Sequence, residues 1–297
     1  MTIAVYLPLL LALPLTVSAG WLVHRGTPTA MARALAAVAL VAGAASTWSL
    51  TMLALTLLDD VPPLSALDDH PTVELPEPVP GPVALVAALV LLGGAVRLLA
   101  ELRQRAQTVR LLHAIGVPQD GLVVADWSTP LAVAVPGRWG QRGHLLITTG
   151  ILRLLDGDER QVLFAHEHAH LTHRHHRLTS VAAAAAAVNP LLIPVRQAVA
   201  YLVEREADED AAVAVADRDL TAQAVARAAL ASVTAGPTAA LGIHGGGAVV
   251  RRVRALNNPA PIPRKRPLIA AVLLAAGLFA AVTTATVQFV ALARAWL

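Results

Sequence analysis

Four apolar stretches decide what this chain can fold into. Residues 3–23, 35–58, 82–100 and 268–291 are each about as long as one bilayer crossing, which takes ~20 residues of helix, and Arg97 is the sole charge in all four. In lipid every backbone N–H and C=O must find its partner within the segment, which favours helices over irregular chain. With 56% hydrophobic and 14% charged residues, the composition agrees with a membrane protein. The first stretch is preceded by no basic residue. A cleaved signal peptide has one there, so this stretch reads as a retained span. The expected fold is a mainly α membrane protein with four transmembrane helices.

Charge orients the spans. Of 23 basic residues, 20 lie between Arg97 and Arg266, and His24, Arg25 and Arg33 form a short basic turn after the first stretch. Residues 59–81 instead hold Asp59, Asp60, Asp68, Asp69, Glu74 and Glu77 with no Lys or Arg. Basic segments stay cytoplasmic. The chain is therefore expected as a multi-pass cell-membrane protein with both termini extracytoplasmic and its central region cytoplasmic. Three units result: a membrane domain at 1–100 with three spans, a working domain at 101–266, and at 267–297 a fourth span with a short tail. The bilayer is the first partner. Arg251, Arg252, Arg254, Arg264, Lys265 and Arg266, just before the last span, suit contact with anionic lipid. No aromatic-rich or basic-helix module accompanies the charge, so direct nucleic-acid binding is not expected. The absence of cysteine excludes disulfides, thiol catalysis and cysteine-zinc sites.

The working domain opens with a helix continuing from the third span, which Gly93-Gly94 is expected to break. Short β-type runs come next at Leu122–Val124, Leu131–Val135 and His144–Thr149, a small sheet ahead of a histidine-rich helix. Six of eleven histidines fall between Ala165 and His176. His166, Glu167 and His170 spell H-E-x-x-H. On a helix, positions i and i+4 share a face, so two imidazoles converge on one metal and the adjacent carboxylate can act as general base. This helix is expected to be capped at Gly157 or Asp158 and to run to Arg177. His168, His173, His175 and His176 read as a solvated face. An alanine-rich helix to Val188, a stop at Asn189-Pro190 and a helix over Val195–Ala216 come next, then a loop at Gly242–Gly247.

A hydrolytic zinc site takes three protein ligands and an open position. His176 has metzincin spacing, but His173 stands where that pattern turns on glycine. Leu155-Asp156-Gly157 is similar to the aspartate motif of intramembrane site-2 proteases, yet it precedes the zinc helix rather than following it. Glu204, 34 residues past His170 on a returning helix, is the preferred third ligand. Asp208 shares its face and can fix the tautomer of a ligand histidine. Glu206, Glu209 and Asp210 read as solvated. One Zn2+ per chain is the expected cofactor, and a structural site would want a fourth ligand. The strand Leu131, Ala132, Val133, Ala134 offers an edge on which an extended substrate can add. Tyr201, His173 and His244 are open alternatives for stabilising an oxyanion.

His166–His170 followed by Arg174-His175, then Glu204 and Asp208 as Glu-x-x-x-Asp, resembles the gluzincin membrane peptidases. Asn189-Pro190-Leu191 and the order of three spans, domain, one span resemble the BlaR/MecR-type antirepressor peptidases more closely than the Ste24/HtpX type. The resemblance implies a zincin-like α+β metallopeptidase domain between the third and fourth spans. Its implied substrate is a winged-helix repressor of the BlaI/MecI type, cut in signal-induced regulation, and a homodimer is compatible with this arrangement. Membrane-protein quality control, as in the Ste24/HtpX type, is the alternative role. A non-catalytic membrane receptor with a structural metal is the alternative of another class. The β-lactam sensors of the first group carry a penicillin-binding domain after the last span; with the chain ending at Leu297, the expectation is a peptidase without that sensor.

Overall fold

A computed structural model describes residues 5–57, 80–138, 140–234, 246–262 and 266–295. Residues 59–79 of the acidic loop expected at 59–81, His244 and most of the expected loop at 242–247 lie outside the described residues, as do Arg264 and Lys265. Apolar runs become helices α1 (Leu7–Leu22), α2 (Pro28–Leu55), α3 (Gly81–Ala114) and, near the C-terminus, α10 (Arg266–Ala295). By length and composition, α2, α3 and the segment Ile269–Val287 suffice to cross a bilayer. With 16 residues, α1 measures about 24 Å at ~1.5 Å per residue, short of the ~30 Å hydrocarbon core.

The centre of this assembly is α2. Met31, Leu35, Ala39, Ala42 and Ser46 on it are buried, and α1, α3 and α10 all pack against it. Contrary to expectation, Gly93-Gly94 does not interrupt α3, which is one helix of 34 residues. A Cβ at Gly94 would come within 3.2 Å of the Val188 carbonyl oxygen. That glycine serves close approach of two helices.

Beyond α3 the chain forms β1 (Leu122–Ala125), β2 (Ala132–Val135) and β3 (His144–Thr148), in spatial order β1-β3-β2. β1 runs parallel to β3 and β2 antiparallel to it. The Thr148 N–H donates to the Leu131 carbonyl at 3.0 Å. Alternation along an antiparallel ladder then directs the backbone groups of Val133 and Val135 toward β3, and those of Ala132 and Ala134 outward. The short helix α4 (Thr149–Leu154) comes next, with Gly150 seated against the Ser128 carbonyl where no Cβ fits.

Helix α5 (Gly157–Thr172) carries H-E-x-x-H and begins earlier than expected. Asp156 is its cap: Asp156 Oδ1 accepts from the Glu159 N–H at 2.9 Å, and Glu159 Oε2 accepts from the Asp156 N–H at 3.0 Å, a reciprocal capping box. It also ends earlier. Arg174 adopts a left-handed conformation, φ 52°, so the expected run to Arg177 divides and α6 (His175–Val188) leaves in a new direction. At Asn189 the side chain accepts from the Leu191 N–H at 3.1 Å and donates to Ser46 Oγ of α2 at 2.9 Å. A 3-10 turn over Pro190–Leu192 then starts α7 (Ile193–Val215). The α6–α7 hairpin is packed among the apolar helices: Ala182, Leu192, Val195 and Val199 share one core with Leu15, Leu35 and Leu278. Helices α8 (Arg218–Thr234) and α9 (Gly246–Leu256) cover the other end of α7.

Candidate metal centre

Antiparallel packing of α5 on α7 faces His166, Glu167 and His170 toward Glu204. The i, i+4 spacing puts both imidazoles on one face, and their Nε2 atoms lie 3.2 Å apart. Glu204 Oε2 lies 3.6 Å from His166 Nε2, and Glu204 Oε1 lies 3.7 Å from His170 Nε2. Ligands at ~2.0–2.2 Å around a tetrahedral zinc would be separated by roughly 3.3–3.5 Å. The three side chains therefore fit one zinc ion, and among the described residues they are the group able to hold a metal.

Around the ligands stands a ring of charge. Asp208 is fully buried and lies 3.1 Å from His166 Nδ1. Arg252, on α9, grips that carboxylate with two bonds, Nε to Oδ2 at 2.7 Å and Nη2 to Oδ1 at 2.6 Å. Its Nη1 also reaches Glu204 Oε2 at 3.0 Å. Arg252 is thus part of the site, a correction to its expected place at the lipid surface. The sequence held no signal for it, because a run of arginines before a span has a sufficient explanation as a flank.

Without a cation, burial works against a charged His166, yet Asp208 and Glu204 outweigh it and push its pKa up to about 10. His170 is dominated by burial and drops to about 3. Burial opposes ionisation of Glu204, but Arg252 and the two imidazoles hold its carboxyl well below the usual range. Glu167 moves the other way: desolvation raises it, while the Ala134 N–H, which points off the open edge of β2, donates to it. A raised carboxyl beside two imidazole nitrogens able to hold a metal suits a proton carrier.

These groups line a cavity of about 680 Å³ together with Leu131, Ala132, Val133 and Ala134. Other expectations need correction. His175 and Glu206 are buried, at 2% and 1% exposure, rather than solvated. Their positions facing each other across two helices could not be read from either motif alone. His173 is half-buried and bonds Asp210 at 2.6 Å, while His168 is exposed as expected. Glu209 is paired with Arg205 and Arg218, each at 2.6 Å. Tyr201 faces Arg251 and does not line this cavity.

The model of Peptidase family M48 matches residues 99–266, more than half of the chain. This chain belongs to peptidase family M48. Its members are zinc metallopeptidases, in keeping with the donor set above. A protease HtpX homolog of Thermodesulfovibrio yellowstonii is 34% identical to this M48 chain over 74 residues, 25% of the chain and 26% of that protein. The similarity thus spans about a quarter of the relative's length. No solved structure matches.

Proposed function

We propose that this M48 peptidase is a multi-pass membrane zinc endopeptidase in which His166, His170 and Glu204 hold the ion and Glu167 moves the proton. The observation that carries the reading is the convergence of three ligand atoms beside a desolvated carboxylate and an unpaired strand edge. A bound zinc ion would supply Lewis acidity, lowering the pKa of water in the open position and polarising the scissile carbonyl. Glu167 takes a proton from the attacking water and returns it to the leaving amine. Asp208, clamped by Arg252, orients His166. The outward backbone groups of Ala132 and the Ala134 carbonyl receive an extended substrate segment as an added strand, while the Ala134 N–H holds Glu167. Three protein ligands leave a coordination position free, which favours catalysis over a structural metal.

Two roles use this chemistry. The resemblance carried by Asn189-Pro190-Leu191 supports cleavage of a cytoplasmic winged-helix repressor. The HtpX homolog similarity supports removal of damaged membrane proteins. The test expresses the wild type and Glu167→Gln in the native host and compares cleaved proteins. One discrete truncated repressor marks the regulatory role; many accumulating membrane proteins in the variant mark quality control. Since general acid–base groups contribute roughly 10²–10⁴-fold, the variant should lose at least ~100-fold in cleavage while still binding zinc. Undiminished cleavage would overturn the assignment.

A further inference from the structure

Next to His170, starting with His175 at the cavity wall, lies a second row of ionisable groups that the proposed chemistry does not use. His170 Nδ1 and His175 Nδ1 are 2.8 Å apart, with the rings edge to face at 4.7 Å between centroids. His175 Nε2 lies 3.1 Å from Glu206 Oε2. Neither Glu206 oxygen nor His175 Nε2 completes a hydrogen bond, so that carboxylate is held by proximity and charge. Around it stand His173 Nδ1 at 3.6 Å and Arg33 Nη2 at 3.8 Å, with the Thr29 hydroxyl beside it. Thr29 and Arg33 belong to the first turns of α2. A buried carboxylate in a membrane protein is costly unless it is paired. Among the described residues the charged neighbours of Glu206 are His175 and His173 on the metal-centre side and Arg33 on α2.

We propose that Glu206 and His175 are positioning residues that hold the His170 imidazole for the metal, and that Thr29 and Arg33 anchor this relay to α2. The proposal rests on His170 being a ligand through Nε2, as above. The tautomers are then fixed one after another. A neutral imidazole that offers its Nε2 lone pair carries its proton on Nδ1. That proton faces His175 Nδ1, which must accept it, so His175 carries its own proton on Nε2. That second proton sits on the nitrogen 3.1 Å from Glu206 Oε2. Every nitrogen in the row has one role once the metal is in place. Metal-ligating histidines generally donate their second N–H to a carboxylate or carbonyl; here an imidazole is interposed, which lets a carboxylate on α7 act on a ligand of α5 from two rings away. The left-handed Arg174 is what makes this placement available. It turns the chain between α5 and α6 so that His175 swings back onto His170 instead of continuing around the helix. Because Glu206 also touches α2, a shift of the cytoplasmic-end turns of that helix changes the hold on a metal ligand. A membrane event would thereby reach the reaction centre without any contact to substrate.

The test uses the full chain in lipid nanodiscs and measures zinc affinity by competition with a chelator, together with the visible spectrum of the cobalt-substituted protein. Loss of an outer partner of a metal-ligating histidine typically weakens metal binding by ~10–100-fold. Glu206→Ala and His175→Phe should show a loss of that size and altered cobalt bands. Glu206→Gln, whose carbonyl can still accept from His175, should remain within about threefold of wild type. The double variant Thr29→Val, Arg33→Ala alters only the α2 anchor and should weaken zinc binding in the same direction, by up to about fivefold for a partly exposed pair. Glu204→Ala is the reference: if it keeps wild-type affinity, the metal-site reading itself fails. If Glu204→Ala loses zinc while Glu206→Ala and His175→Phe bind as wild type, the relay is overturned. Equal losses for Glu206→Gln and Glu206→Ala would also overturn it, since a requirement for charge or packing would then replace the hydrogen-bond relay. Unchanged affinity in the α2 double variant would remove the membrane link.

Discussion

At the scale of single residues, the site is built from opposed pKa pressures, and these make a pH prediction with a definite sign. In the metal-free protein His166, near 10, is protonated at neutral pH, whereas His170, near 3, is already neutral. Zinc requires both imidazoles deprotonated. Zinc binding should therefore release one proton from His166, and affinity should rise ~10-fold per pH unit between about pH 7 and 9. Chelator competition across that range checks it; a flat profile would contradict the pairing with Asp208. The same group sets a stability contribution in the metal-free state. Its folded pKa exceeds the unfolded value of ~6.5, so the contribution is full below that value and is lost as pH rises through about 10. Arg252 supports the other side of the balance. Arg252→Met would leave Asp208 buried with no guanidinium, a change that costs about 3–5 kcal/mol when a buried pair is broken. Thermal unfolding should show a larger drop for the zinc-free variant than for the zinc-loaded one, because a bound cation partly replaces the lost charge. Arg252→Lys should not restore it, since a single ammonium cannot span both oxygens of Asp208 and reach Glu204.

At the scale of elements, the hairpin of α6 and α7 is what turns two separate motifs into one site. Its fit depends on small residues. A Cβ at Gly43 would meet the Ala185 Cα at 3.2 Å, so Gly43→Leu should force α2 and α6 apart and destabilise the detergent-solubilised protein by about 1–3 kcal/mol, read as a lower melting temperature. Loss of peptidase activity should accompany it, because the hairpin carries Glu204 on its returning arm. Much of this element was legible beforehand. Asn189-Pro190 marks a stop through chemistry local to the chain, and i, i+4 spacing places Glu204 and Asp208 on one face whatever surrounds them. Contacts across elements were beyond reading. Glu206 is two positions from Glu204, so helical geometry turns it away from the metal, and an acidic run then reads as solvated. It is buried because α2 and His175 cover it, and neither is implied by its neighbours in sequence. The end of α5 escaped for a related reason: no glycine or proline marks Arg174, whose left-handed turn is imposed by the packing of α6.

For the whole molecule, the decisive relation is which end of α2 the site occupies. Glu206 meets α2 at Arg33, near the start of the helix, and Asn189 at the hairpin tip meets it at Ser46. Thirteen residues of helix separate those contacts, about 20 Å at ~1.5 Å per residue. The candidate metal centre therefore lies at the N-terminal end of α2 and the hairpin reaches back along it toward its C-terminal end. α3 follows the acidic segment in sequence and ends beside the sheet, where the His113 ring bonds the Pro136 carbonyl at 3.0 Å. Site, sheet and the basic turn His24–Arg33 thus share one side of the apolar body, and the acidic segment follows the opposite end of α2. Basic flanks are retained in the cytoplasm, and on that ground we propose that the peptidase face lies there and the acidic segment outside. Because the chain has no native cysteine, single cysteines report this cleanly. Asp68→Cys, in the acidic segment, should react with a membrane-impermeant maleimide on intact cells. Arg142→Cys, in the exposed turn before β3, should react only after permeabilisation. The reverse pattern would put the metal centre outside the cell, and with it a repressor in the cytoplasm would cease to be a reachable substrate.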